Sequence, residues 1–352
     1  VFFGILLVFI TYMMFYVFYI KDGILYSGLT VYGDYAPHTA MMRSFSAGNN
    51  FPTQYPHYGG ADVKYHFMFQ FLVGNLEYLG LRLDLGYNLV SIMSLSGFLM
   101  VLYGISYRMF RSFWAGAAAM VFFFFRSGTA FWQYLWENAK AGNLIQALKE
   151  NTEFIGYTTN ENWGLWNFNV YLNQRHLAFG LLIVAVAVWI FMDWVEAGCG
   201  HKEHGWLWIR KRIFSKEAWA FRNVEIAILL GLFLGLTAFW NGAALIGGLL
   251  ILAGFAVFSD GKLDYAVCAA LAVFFSELQS KIFVSGSVMS PSFYWGFLAE
   301  NKSISGVLWY LVEISGFFFV GLVVASVFFK RNERVVLGGF LLPAVFAFVV
   351  SL

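Results

Sequence analysis

The sequence predicts an all-α polytopic membrane protein, with about nine transmembrane helices and interfacial helices in its first outer loop. Two observations carry this. Of 352 residues, 60% are hydrophobic and only 12% charged, against roughly 25% charged in a soluble domain. The apolar residues also fall in runs of spanning or near-spanning length, at 1–20, 88–105, 113–125, 176–195, 224–240, 243–258, 265–283, 307–329 and 335–352. A spanning helix takes about 20 residues. The whole chain, 1–352, reads as one transmembrane domain and as part of a longer protein. A formal net charge of +2 gives no footing for nucleic acid. Cys199 and Cys268 stand far apart, without the spacing of a zinc site or a disulfide framework. No GxGxxG, Walker or HExxH pattern occurs.

Taken in order, run 1–20 has no small-residue cleavage site and is long enough to span, so it reads as a retained helix rather than a signal peptide. The first outer loop, 21–87, follows. It collects Asp34, His38, Arg43, His57, Asp62, Lys64 and His66 in an otherwise apolar chain. Two of its segments read as helices lying in the membrane interface. In 36–47, Pro37 occupies the first turn and Met41 and Phe45 lie one turn apart. The segment 66–80 would make about 22 Å of helix, too short to span comfortably. Its His66, Gln70, Gly74 and Glu77 share one face.

An in-plane 66–80 makes the orientation consistent. With the N-terminus inside, the short inner connections hold twelve of the 22 Lys and Arg, from Arg108 and Arg111 through Arg210, Lys211 and Arg212 to Arg331 and Arg334. The positive-inside rule then places the chain in the cytoplasmic membrane with 21–87 and the second outer loop, 126–175, facing outside. That second loop is rich in Trp, Tyr and Asn, among them Trp132, Tyr134, Trp136, Tyr157, Asn160, Trp163 and Trp166. Such residues suit a sugar or a lipid headgroup, and equally an aromatic belt. No inverted repeat of the transporter kind is visible.

Asp34 reads two ways, and the two are compatible. It is a general base or metal ligand at the outer surface, or the N-cap of the helix starting near Ala36. His38, one turn later, contacts the same substrate or is a hydrogen-bonded surface group. Lys64 and His66 lead into the second interfacial helix, where a cation can hold a lipid phosphate or simply snorkel to the headgroups. Asn173-Gln174-Arg175-His176 stands where the second outer loop enters a membrane run. The planar fork of Arg175 with His176 suits a phosphate, and an interfacial anchor explains the same residues. Asn241 is a substrate contact or part of a turn assisted by Gly242.

This order resembles the GT-C superfamily of membrane glycosyltransferases, which includes protein O-mannosyltransferases and aminoarabinose transferases. The resemblance covers about the first 200 residues. It rests on one spanning helix, an acid in GDYAPH, two interfacial helices, and a helix ending in the basic Tyr107-Arg108-Met109-Phe110-Arg111. The match departs where the family often has paired acids, since Tyr35 follows Asp34. It departs again where His-Pro-Pro or Lys-Pro-Pro is frequent, since Lys64-Tyr65-His66 stands there. The resemblance implies transfer of a sugar from a polyprenyl-phosphate donor to an acceptor outside the membrane. Asp34 would activate the acceptor hydroxyl, with or without a divalent metal. Lys64, Arg175 and His176 would neutralise the leaving phosphate, and the donor's lipid tail would lie along the spanning helices, among the membrane lipids. Two other classes stand as alternatives: a transporter or flippase for lipid-linked sugars, against which the few polar residues in the spans count, and a noncatalytic scaffold in polysaccharide assembly.

Overall fold

The computed structural model describes residues 1–28, 32–51, 53–125, 129–151, 167–283, 295–296 and 299–350. The aromatic residues of 152–166 and residues 284–294 lie outside them. Among the described residues the architecture is helical, with sixteen α-helices and one two-stranded hairpin.

Helix α1 (Phe2–Val17) stops before the end of its apolar run, because the chain turns into strands β1 (Phe18–Lys21) and β2 (Ile24–Ser27). Asp22 and Gly23 form the turn with φ of 52° and 78°. Two consecutive left-handed residues define the hairpin turn that Asp-Gly favours. Tyr19 and Tyr26, paired across the strands, stack at 4.9 Å. The span expected over 1–20 is therefore corrected to a shorter helix ending in a hairpin.

Helices α2 (Tyr35–Ala47) and α3 (Met68–Tyr78) match the two expected interfacial segments in position, and they pack on each other. The polar face of α3 meets α2 directly. A Cβ on Gly74 would lie 2.5 Å from the Met42 carbonyl oxygen. Glu77 pairs with Arg43 at 2.6 Å and accepts from Ser46 at 2.5 Å. Glycine lets the two backbones approach, and the ion pair closes the end of the contact.

The next elements are α4 (Leu83–Phe110), α5 (Phe113–Phe125), α6 (Thr129–Lys140), α7 (Leu144–Glu150), α8 (Asn167–Asn173) and α9 (Arg175–Cys199). They are followed by α10 (Gly205–Phe214), α11 (Val224–Leu236), α12 (Gly242–Phe258), α13 (Lys262–Phe283), α14 (Ile304–Ser315), α15 (Phe317–Ser326) and α16 (Arg331–Val350). Among the described residues three helices, α4, α9 and α13, are long and apolar enough to cross a membrane, or four if α14 and α15 count as one bent span. Helices α1, α5, α11 and α12 are apolar but shorter. Among the described residues the helix lengths thus give three or four full-length spans, where the sequence predicts about nine. The expected continuous span over 307–329 is broken at Gly316, whose φ of 56° lies outside the helical region.

Contacts between helix termini sort them into two ends. At the first, Asn88 of α4 donates to the Phe18 carbonyl at 2.8 Å, and Arg175 of α9 reaches the Met14 carbonyl at 3.3 Å. There too the Met68 amide at the start of α3 bonds Phe239, just past α11, at 3.0 Å. At the other end, Arg108 of α4 pairs with Asp193 and Glu196 of α9 at 2.5 and 2.7 Å. Trp194 of α9 donates to Asp264, at the start of α13, at 2.8 Å, and Arg331 of α16 donates to the His201 carbonyl at 3.1 Å. Helices α4 and α9 therefore run parallel, and α1, α11 and α13 run against them. Close approach comes from small residues, as is usual where helices meet without water to drive them together. A Cβ on Gly254 of α12 would sit 2.2 Å from the Gly339 carbonyl oxygen of α16.

Candidate functional site

The candidate site lies at the first of these ends, where α2 begins, α3 begins and α8 breaks into α9. Asp34 closes a short 3-10 turn and occupies the N-cap position of α2, yet its side chain makes no cap hydrogen bond. Its carboxylate turns outward from its own helix. Oδ2 accepts from Asn173 Nδ2 at 2.8 Å and from Gln174 Nε2 in a shorter bond. The capping explanation of Asp34 therefore fails, because the orphan amides of α2 are not what the acid serves. Both partners are neutral amides, which fix the carboxylate's direction without an ion pair.

Those amides are held by the break between α8 and α9. Gln174, at φ −84° and ψ 59°, interrupts the helix, so Asn173 and Gln174 project where a continuous helix would not aim both. The carbonyls freed by the break are taken up by aromatic hydroxyls and a guanidinium. Tyr35 donates to Leu172 O at 2.8 Å, Tyr87 to Asn173 O at 3.4 Å, and Arg175 Nε to Leu172 O at 2.8 Å.

Arg175 is thereby a core residue. It is fully buried, donates to Asn88 Oδ1 at 2.5 Å and stacks its guanidinium 4.2 Å from the centre of the Tyr87 ring. The sequence-based expectation that its fork faces a phosphate is corrected: the donors that would bind an anion are spent on Leu172, Asn88 and Met14. A buried charge needs that many hydrogen bonds to be tolerated.

The next residue does face the site. His176 gathers His66 and His38 around it, with ring centres 4.3 and 5.5 Å away. The Tyr65 ring lies tilted against that of His66, with centres 3.7 Å apart, and its hydroxyl lies 3.4 Å from both Gln174 Oε1 and His176 Nε2. Burial pushes the His66 imidazole down to about 3, with His38 adding to the effect. Burial also lowers His38, against a partial opposing pull from Asp34. Burial and the Asp34 carboxylate together push the Tyr65 hydroxyl up to about 12. Near neutral pH His38 and His66 are thus uncharged and the phenol keeps its proton. His66 Nε2 and Asn173 Oδ1 are buried without a hydrogen-bond partner.

The structure therefore brings together Asp34, His38, His66 and His176, and leaves three predicted residues out of the cluster. Arg175 faces the core. Lys64 is exposed beside Tyr65. Asn241 is buried and caps α12, accepting from the Ala244 amide at 2.8 Å, so the turn explains it and a substrate contact does not. Among the described residues no group of three or more His, Cys, Asp or Glu is arranged to hold a metal ion. The divalent-metal reading of Asp34 therefore finds no ligand set. The sequence of Asn173–His176 points to Arg175 and His176; His176 joins the cluster, but the two amides, Asn173 and Gln174, are what touch Asp34. The signal available was the run of polar residues ahead of an apolar helix, which points to a helix break and not to which side chain faces out. The chain matches no known protein-family model, no curated protein and no solved structure.

Proposed function

We propose that the protein transfers a sugar from a polyprenyl-phosphate donor to an acceptor hydroxyl at the outer face of the cytoplasmic membrane, with Asp34 as general base. The observation that carries this is the Asp34 carboxylate, held at one oxygen by Asn173 and Gln174 beside a buried set of imidazoles, at one end of helices long and apolar enough to cross a membrane. With Oδ2 occupied, Oδ1 takes the proton of the acceptor hydroxyl. The acceptor oxygen bonds the anomeric carbon, and the bond from that carbon to the donor phosphate breaks. Polyprenyl phosphate leaves with the electron pair. A neutral imidazole carries one N–H, so His66 and His38 supply hydrogen bonds to the leaving phosphate and Lys64 supplies charge from the exposed rim. The basic far end faces the cytoplasm in this reading.

The test is donor turnover. Purified protein in lipid nanodiscs is given polyprenyl-phosphate sugars with candidate lipid, peptide and glycan acceptors, and release of polyprenyl phosphate is followed for wild type and Asp34→Asn. Turnover that falls by roughly 10²–10⁴-fold in the variant supports the general base. Turnover that survives the change defeats it. No consumption, with lipid-linked sugar crossing a sealed vesicle, would make the protein a flippase.

A further inference from the structure

Helix α10 is inverted relative to a water-soluble surface helix. Its charged Arg212 is 3% exposed, while Trp206 and Phe214 are 71% and 73% exposed. The inward side is engaged by the packed chain, although Arg212 Nε is buried without a hydrogen-bond partner. Arg212 donates to Asp260 at 2.6 Å, Trp208 donates to the Gly198 carbonyl at 2.9 Å, and Arg331 stacks over the Trp208 ring at 5.4 Å. The outward arc carries Trp206, Leu207, Arg210 and Phe214, with Lys216 just beyond. These spacings, 206, 207, 210 and 214, place apolar and basic side chains on one helical face.

The chain on either side fixes where that face lies. Helix α10 follows α9, which is long and apolar enough to cross a membrane, and precedes the apolar α11. It lies at the opposite end of α9 from the histidine cluster, about 37 Å along a 25-residue helix. At that level a bilayer presents headgroups. Exposed aromatics interleaved with Arg and Lys are what a helix lying in that layer needs. Arg210 and Lys216 are exposed and form no ion pair among the described residues.

We propose that the outward face of α10 is a bed for anionic phospholipid headgroups, with Trp206 and Phe214 set at acyl-boundary depth and Arg210 and Lys216 on the lipid phosphates. Anionic lipid is the occupant because Arg210 and Lys216 outnumber the one exposed carboxylate beside them, Glu217, which is held by its own backbone and Ser215, and the aromatics match the depth of a headgroup layer. It stands whether or not Asp34 carries out chemistry, since the two faces are at opposite ends of the molecule.

The full chain is reconstituted in nanodiscs of phosphatidylcholine with and without phosphatidylglycerol, and retained lipid is counted by native mass spectrometry. Wild type is expected to retain phosphatidylglycerol in preference to phosphatidylcholine. Arg210→Gln with Lys216→Gln should lower that preference roughly fivefold per cation removed, while Arg210→Lys with Lys216→Arg retains it. Equal retention of both lipids by wild type, or an unchanged preference in the double Gln variant, overturns the proposal. Brominated phosphatidylglycerol should quench the emission that Trp206→Tyr removes; an unquenched Trp206 places the face in water or on a protein and equally overturns it. The substituted side chains are exposed, so an unchanged unfolding midpoint confirms that a lost preference is not lost fold.

Discussion

Asn173 and Asp34 are joined by a 2.8 Å hydrogen bond across 139 positions of chain. Through it the break between α8 and α9 sets the direction of an acid that begins α2. The bond makes the segment before α9 part of the same site as the start of α2.

Removing either amide should weaken turnover without removing it. Gln174→Ala or Asn173→Ala leaves Asp34 one hydrogen bond on Oδ2, so the carboxylate samples unproductive rotamers. A tenfold or so fall in kcat with little change in KM is expected, because the loss of orientation acts on the reacting geometry. Gln174→Asn, too short to reach, should behave like Ala, and Asn173→Asp should behave worse, since it sets a second carboxylate beside Asp34. An equal loss in KM alone would assign the amides to substrate binding instead.

Arg175→Lys tests whether the arginine binds phosphate or holds the fold. Lysine lacks the planar fork that stacks on Tyr87 and reaches Leu172, Asn88 and Met14 together. The expected cost is roughly 2–4 kcal/mol, seen as a lower unfolding midpoint in detergent. A phosphate-binding role predicts a raised donor KM at unchanged stability.

Stability should fall in acid. His66 and His38 are pushed below their ordinary values in the folded protein, so the unfolded chain binds more protons as pH drops below about 6.5. Stability is then complete above that pH and is lost progressively as pH falls toward about 3, the folded value of His66. The loss from His66 amounts to a few kcal/mol at most. Unfolding midpoints measured from pH 8 to pH 4 should slope downward in wild type and less steeply in His66→Asn; parallel slopes would show that the imidazole is not sheltered.

Gly74→Val should separate α3 from α2. The added Cβ meets the Met42 carbonyl at 2.5 Å and the Phe45 side chain at 2.8 Å, and neither can yield without moving α2. Overpacking of this kind costs about 1–3 kcal/mol. Because α2 carries His38 and starts at Asp34, turnover should fall along with the unfolding midpoint. A fully active, fully stable Gly74→Val protein would mean that the two helices slide freely.

Much of this architecture was legible in one dimension. The apolar runs placed α4, α5, α9, α11, α12 and α13, because a helix in lipid must satisfy its backbone internally and so declares itself by length and composition. The same logic marked α2 and α3 as short helices outside the spans. The hairpin after α1 was legible too, in Asp22-Gly23 between apolar residues, but an apolar run of spanning length masked it.

The site divides in the same way. Composition singled out Asp34, His38, His66 and His176, since polar side chains in a greasy chain are few. What composition cannot assign is direction. Whether Arg175 or Gln174 faces the acid depends on the break at Gln174, and whether Asn241 meets a ligand or caps a helix depends on the turn before α12. Both are settled by where backbone hydrogen bonds are left open, a property of the packed helices rather than of any one residue. The sequence by itself determined a helical chain with apolar spanning segments and the small set of side chains able to do chemistry. Only the tertiary structure decided which of them meet, because a buried guanidinium must satisfy its donors before it can serve anything else.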